Sequence, residues 1–226
     1  MDYGRTLSRV ETYFDKTATA TWERLTSDAP VSRVRQTVRA GRDRMRAIML
    51  DRLPADLTGA RVLDAGCGAG QMTVELAKRG ARVIATDISP SLVNIAELRL
   101  PYDLKTQVSF CAGDMLNPDL GNFDYVLAMD SLIYYGASDI AQALKTLSAR
   151  TSSAVVFTVA PRTGPLMAMW YAGKLFPRSD RSPIMVPHSF EGLDTACRAA
   201  RVGKTLRPVE RVTSGFYISQ ALEVRG

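Results

Sequence analysis

The chain has 226 residues, 46% hydrophobic and 23% charged. That is enough apolar content for one large folded core and too balanced a composition for a disordered segment. No run approaches the ~18 apolar residues of a membrane span, and Met1–Glu11 carries no apolar signal region, so no transmembrane segment is expected. Cys67, Cys111 and Cys197 share no metal-ligand spacing, which predicts a reducing cytoplasm, no disulfide framework and no protein-bound metal.

The net charge of +6 would, taken whole, suggest a nucleic-acid partner. Its distribution argues otherwise: residues 1–52 carry +4, residues 53–159 carry −3 and residues 160–226 carry +5. A mildly acidic centre lies between two basic flanks. In the first flank, Val31, Val34, Val38, Met45 and Ile48 fall at helical spacing after Pro30. Arg35, Arg39, Arg42 and Arg46 share a face of that helix, either solvated or a docking surface for a partner or anionic lipid.

The centre alternates short β-branched runs with helical stretches. Strands are predicted over Arg61–Asp64, Arg82–Asp87, Gln107–Cys111, Phe123–Met129 and Ala154–Val159. Helices are predicted over Ala69–Arg79, Ser91–Leu100 and Ala137–Ala149, an alternation that implies βαβ units and a parallel sheet. Pro161–His188 is long for a connection at the carboxyl end of such a sheet and contains a methionine-aromatic stretch, Leu166–Phe176, as a substrate lid would. A helix near Phe190–Ala200 follows. Strands Lys204–Val212 and Phe216–Val224, joined by Thr213-Ser214-Gly215, then form a hairpin, so one of them runs antiparallel to the rest.

The strongest motif is Val62-Leu63-Asp64-Ala65-Gly66-Cys67-Gly68-Ala69-Gly70, between a strand and a helix. Its glycines let the backbone approach a ligand, and the helix beyond offers unpaired N–H groups. A dinucleotide fingerprint would need a third glycine where Gln71 stands. A tight turn with no ligand is the other alternative. The nonapeptide resembles the first motif of the S-adenosylmethionine-dependent methyltransferases. An acidic Asp64 before the glycines suits a ligand with an ammonium and a sulfonium, and would repel a pyrophosphate. Asp87, followed by Ile88, closes the second strand, where a carboxylate can accept both ribose hydroxyls. Gly113-Asp114-Met115 follows the third strand. In the family this place supplies an acid for the adenine amino group and a residue that packs on the ring. Asp130, after the fourth strand, completes the set near the methyl donor. Each acid alone could be a cap or a turn, but four at successive strand ends point to a site.

No Asn/Asp-Pro-Pro-Tyr element follows the fourth strand, where Met129-Asp130-Ser131-Leu132-Ile133-Tyr134-Tyr135 stands, so no nucleic-acid acceptor is expected. In the flanks, Val10-Glu11-Thr12-Tyr13-Phe14-Asp15 and Trp22-Glu23-Arg24 resemble the arm of the magnesium-protoporphyrin IX methyltransferases of bacteriochlorophyll synthesis. Leu175-Phe176-Pro177-Arg178-Ser179-Asp180-Arg181-Ser182-Pro183 and Gly215-Phe216-Tyr217-Ile218-Ser219 do so too, so the resemblance spans most of the chain. It implies an α/β class I methyltransferase fold, a Rossmann-like, mostly parallel seven-stranded sheet with an antiparallel last strand and helices on both faces. It divides the chain into a helical arm at 1–52 and an S-adenosylmethionine-binding domain at 53–226, with the lid insertion at about 161–188.

The resemblance also implies the reaction: methyl transfer from S-adenosylmethionine to one propionate of Mg-protoporphyrin IX, whose Mg²⁺ belongs to the substrate. Asp64, Gly66, Gly68, Asp87, Ile88, Asp114, Met115 and Asp130 are assigned to the cofactor. Tyr13 and Tyr134 are assigned to catalysis. Tyr134 stands where the family pattern has a histidine, which suits orientation of the acceptor rather than general-base work. Trp170 would cover the macrocycle, and Arg178 and Arg181 would hold the propionate that does not react. His188 is either structural, a propionate contact or an axial ligand to the substrate ion. The family further implies hand-over of substrate by the porphyrin-binding subunit of magnesium chelatase, and a peripheral membrane association is compatible with the basic flanks. A class I methyltransferase of another small acid or a phenol, and a non-catalytic binding protein on the same fold, are the competing readings.

Overall fold

The computed structural model describes residues 3–15, 32–164, 166–167 and 183–226. Its sheet has seven strands: β1 (Arg61–Ala65), β2 (Arg82–Asp87), β3 (Val108–Ala112), β4 (Phe123–Ala128), β5 (Thr151–Val159), β6 (Thr205–Ser214) and β7 (Tyr217–Arg225). Their order is β3-β2-β1-β4-β5-β7-β6, and β7 alone is antiparallel to the rest, inserted between β5 and β6. The order reverses between β1 and β4, which opens a crevice above their carboxyl ends. The turn joining β6 to β7 is two residues, Gly215 and Phe216, rather than the three expected. Gly215 takes φ +58, the left-handed conformation such a hairpin requires at its first position.

The helices are α1 (Tyr3–Tyr13), α2 (Arg33–Leu50), α3 (Gln71–Lys78), α4 (Pro90–Arg99), α5 (Ala137–Ala149) and α6 (Phe190–Ala200). Strand alternation sends successive residues to opposite faces. Leu63, Ala65, Phe157 and Val159 join α5 and α6 in one core, with Tyr3 and Leu7 of α1 packed against it. Val62, Leu127 and Val156 join α2 and α3 in the other. Asp64 shares the parity of Val62 and therefore faces the α2–α3 side. Ser32, Ser89 and Ser189 cap α2, α4 and α6 with their hydroxyls, each filling an N–H that the first turn leaves unpaired. Edge strand β6 carries exposed Arg207, Glu210 and Arg211, charges that blunt strand addition by another chain.

At Gly41 of α2 any Cβ would lie 2.7 Å from Tyr217 Cδ1 and 2.9 Å from Ser214 Cβ. This contact lets the β6–β7 hairpin seat directly on the helix, and it sets the neighbouring Arg42 beside β4 and β7.

Candidate active site

One cavity lies over the carboxyl ends of β1, β2, β3 and β4, and all eight residues assigned to the cofactor line it. Its floor is the β1–α3 turn. Gly66 has φ +87, and a Cβ there would meet Ser131 Cβ at 2.4 Å, so only glycine lets this turn pass beneath the β4 loop. Gly66 and Cys67 donate their N–H groups to the Thr86 carbonyl, which ties the turn to β2.

Asp64 is 1% exposed and accepts a 2.5 Å hydrogen bond from Thr73 Oγ1. Burial, with Asp87 adding a smaller repulsion, pushes its pKa up to about 7 against the pull of the Thr73 bond. A carboxylate sealed in this way is favoured as its charged form only beside a cation. Asp87 is also raised, chiefly by burial. Its oxygens accept from Gly68 N and Ser89 N, each at 2.9 Å, so it staples the glycine turn to the end of β2 and still has lone pairs for ribose hydroxyls. Cys67, in the same turn, is held far above its usual value by burial and is an inert thiol.

Asp114 closes the β3 side. Its Oδ1 accepts from Tyr3 OH at 2.8 Å and from Leu116 N at 2.9 Å. Met115, 8% exposed, is next to it in the wall. Asp130 closes the β4 side, with φ +57, a left-handed conformation that aspartate tolerates better than most residues. Its carboxylate pairs with Arg42 and accepts from Tyr217 OH at 3.1 Å and Thr158 Oγ1 at 3.1 Å. Tyr134 lines the cavity beside it. Burial, then the Asp130 charge, then Tyr13 raise the phenol's pKa, so it is protonated. Tyr13 itself does not line the cavity. Its ring lies edge-on to Phe14, ring centroids 5.2 Å apart, Phe14 leans on Tyr134 at 6.0 Å, and Tyr13 is near enough to Tyr134 to raise that phenol's pKa.

His188 lies elsewhere. It is 9% exposed, and its Nε2 is 2.9 Å from the Tyr135 carbonyl, which can only accept, so this nitrogen carries the proton. Burial lowers its pKa. Its backbone pairs with Ala160 and Arg162, and Val186 N donates to Ile133 O, so the two ends of the long connection are zipped together beside the β4 loop. In this arrangement the imidazole holds backbone in place rather than facing the cavity. Trp170, Arg178 and Arg181 lie outside the described residues, as do Trp22, Glu23 and Arg24.

Several wall residues escaped the sequence reading. Arg42 and Arg46, expected on a solvated or docking face, are 13% and 14% exposed and line the cavity. Arg46 donates to Asp43 and Gln71 and is close enough to Asp64 to feel its charge. Their spacing of four, in phase with buried Met45 and Met49, was the available signal. Leu7 and Val10 of α1, with Phe14 just beyond its end, bring the arm over the opening. Ser131 Oγ is buried in the wall with no partner among the described residues, a polar atom waiting for a ligand. Among the described residues no cluster of His, Cys, Asp or Glu could hold a metal ion, and no helix is long and apolar enough to cross a membrane.

The strand order, the glycine turn and the acids at successive strand ends define the class I, S-adenosylmethionine-dependent methyltransferases. Residues 62–152 match the family model of the methyltransferase domain, and residues 128–226 match that of the magnesium-protoporphyrin IX methyltransferase C-terminus. The magnesium-protoporphyrin O-methyltransferase of Rhodobacter capsulatus is 60% identical over 99% of this chain and 98% of its own. The chloroplastic magnesium protoporphyrin IX methyltransferase of Arabidopsis thaliana is 29% identical over 95% of this chain and 69% of its own. The crystal structure of the Synechocystis PCC 6803 magnesium protoporphyrin IX methyltransferase with bound S-adenosylhomocysteine superposes with a TM-score of 0.80 at 27% identity, covering 97% of this chain and 99% of that one. The chain belongs to the magnesium-protoporphyrin IX methyltransferase family.

Proposed function

We propose that this chain transfers the methyl group of S-adenosylmethionine to one propionate of Mg-protoporphyrin IX, yielding the monomethyl ester and S-adenosylhomocysteine. The observation that carries the cofactor is the sealed Asp64 carboxylate beneath a glycine turn, with Asp87 and Asp114 spaced along the same cavity. The acceptor rests on the 60% identity that runs the whole length of the chain.

When bound, S-adenosylmethionine supplies a methyl carbon on a cationic sulfur, to which a carboxylate oxygen bonds as the sulfur–carbon pair returns to sulfur. The chain's own residues bind and orient. Asp64 takes the ammonium, Asp87 the ribose hydroxyls and Asp114 the adenine amino group, while Met115 and Ile88 pack on the base. Arg46, beside Asp64, meets the cofactor's carboxylate. A propionic acid ionises near the glutamic acid value of about 4.3, so no general base is needed and the work is proximity and exclusion of water. A strong cation on the reacting oxygen would blunt it. Arg42 is already neutralised by Asp130, so this wall admits an anion without gripping it. Tyr134, protonated, can donate to the acceptor oxygen that does not react, with Tyr13 setting its place through Phe14.

The connection at 161–188 is proposed as the lid over the macrocycle. Its zipped ends beside the β4 loop support this placement. Arg178 and Arg181 would hold the second propionate, and Trp170 the ring face. We further propose delivery of the substrate by the porphyrin-binding subunit of magnesium chelatase, at the cytoplasmic face of a membrane rather than within it.

The test is incubation with S-adenosylmethionine and Mg-protoporphyrin IX, with chromatography for the monoester, alongside quenching of Trp22 and Trp170 fluorescence by Mg-protoporphyrin at micromolar concentration. Ester and quenching are expected. Cofactor binding with neither would leave a methyltransferase of another acid.

A further inference from the structure

The α1 helix is clamped at both ends of the cavity, by different chemistry. At its carboxyl end Asp15 Oδ1 accepts from Ser91 N at 3.2 Å, Ser91 Oγ at 2.6 Å and Ser89 Oγ at 3.3 Å, at the N-terminus of α4, where a negative charge is favoured. At its amino end Tyr3 stacks on Tyr135, ring centroids 4.9 Å apart and 25° from parallel, and its hydroxyl donates to Asp114 Oδ1 at 2.8 Å. Between the clamps Leu7, Val10 and Phe14 face the cavity.

The amino-terminal clamp ends on the carboxylate proposed to read the cofactor's adenine. Tyr3 can only donate here. Burial and the neighbouring Tyr135 and Asp114 raise its pKa far above neutrality, so its proton stays on the phenol oxygen. Leu116 N donates to that same Oδ1, and two donors on one oxygen fix the plane of the carboxylate. Among the described residues both hydrogen bonds to the Asp114 carboxylate fall on Oδ1 and none on Oδ2, and Asp114 lines the cavity. We propose that Tyr3 is a positioning residue for adenine recognition. By holding Asp114 Oδ1, it aims Oδ2 at an exocyclic amino group, so that closure of α1 and the presence of that amino group stabilise each other. The inference rests on the S-adenosylmethionine reading of the cavity and deepens it.

Coupling is reciprocal, so it can be read from either side. The removal of one hydrogen bond between well-placed partners costs about fivefold to tenfold in binding. The experiment is titration calorimetry of wild type and Tyr3→Phe with two ligands, S-adenosylhomocysteine and its analogue with hydrogen in place of the 6-amino group. Phenylalanine keeps the stacking on Tyr135 and removes only the hydroxyl. In the wild type the loss of the amino group is expected to weaken binding about tenfold or more, because the half-buried Asp114 carboxylate loses its donor. In Tyr3→Phe the same comparison is expected to shrink by about fivefold, with the analogue binding both proteins alike. Equal weakening of both ligands by the substitution would overturn the proposal in favour of a merely structural arm, and so would an unchanged ratio. Failure of the wild type to bind S-adenosylhomocysteine at all would overturn the cofactor reading beneath it.

Discussion

Asp64 combines near-complete burial with donation from the Thr73 hydroxyl and backbone N–H and a weak pull from Arg46, and burial outweighs them all. Its carboxyl therefore titrates near pH 7 instead of its ordinary 3.8. The folded chain holds this proton more tightly than the unfolded one. The group therefore supports the ligand-free fold below about pH 4 and withdraws that support as the pH rises to about 7. Denaturant titrations of the ligand-free protein should show stability falling over this interval, and Asp64→Asn should flatten the slope. Ligand affinity runs the other way, since only the ionised form pairs with an ammonium. Calorimetry with S-adenosylhomocysteine should show affinity falling toward tenfold per pH unit below 7, and Asp64→Asn should weaken binding about tenfold or more at pH 8. A second pair of variants separates binding from turnover. Asp87→Ala cuts a staple of the glycine turn and should raise the cofactor dissociation constant more than it lowers kcat. Tyr13→Phe, at a residue off the cavity wall but packed on Phe14 and felt by Tyr134, should do the reverse. A normal turnover for Tyr13→Phe would remove that residue from the site.

The arm helix α2 shows how packing overrides a face-by-face sequence reading. Arg35 is exposed, as a solvated stripe predicts, but Arg42 and Arg46 are drawn inward. The cause is Gly41: without a side chain there, the β6–β7 hairpin seats on α2 and brings Tyr217 and Arg42 onto the same Asp130 carboxylate. An alanine in a helix is normally better than glycine by about 1 kcal/mol. Here its Cβ would sit 2.7 Å from Tyr217 Cδ1. Overpacking of that kind costs about 1–3 kcal/mol and should win. Gly41→Ala is therefore expected to lower the melting temperature by calorimetry. Initial rates should fall further than the loss of folded protein explains, because Tyr217 and Arg42 move off Asp130.

Across the whole molecule, the segment after α2 is tied to the sheet by ions. Glu223 of β7 is 3% exposed and receives two 3.0 Å hydrogen bonds from Arg52, with Arg225 more distant at 3.7 Å. Removing Arg52 leaves the buried Glu223 carboxylate with only the longer Arg225 contact; because the Arg52 side chain is 40% exposed and solvent screens the pair, the loss is about 1–2 kcal/mol. Arg52→Ala should lower the unfolding free energy obtained from denaturant titration by that amount, with the slope m unchanged. Neither residue lines the cavity, so kcat and the cofactor dissociation constant of the folded protein should stay as in the wild type. The parallel sheet and its terminal antiparallel hairpin were legible because βαβ alternation and right-handed crossovers leave few alternatives, while the seven-stranded class followed from the family resemblance. The hairpin turn was misplaced by its ends because Ser214 still pairs with Tyr217, which only the register reveals.

Local chemistry was enough to locate the glycine turn at Gly66–Gly70 and the acids at 64, 87, 114 and 130, because a motif and a strand end are both short-range features. The parity of Asp64 followed from the same alternation that makes a strand. What the tertiary structure decided is long-range: that Tyr3 meets Asp114 across 111 residues, that Arg42 meets Asp130 across 88, and that His188 turns to a carbonyl instead of the cavity. The phase of Arg42 with buried Met45 and Met49 marks the inward face of the helix but not what the guanidinium meets there. Its place depends on the hairpin more than 170 residues further on, and the side-chain environment there is set by packing, not by the local run of the chain.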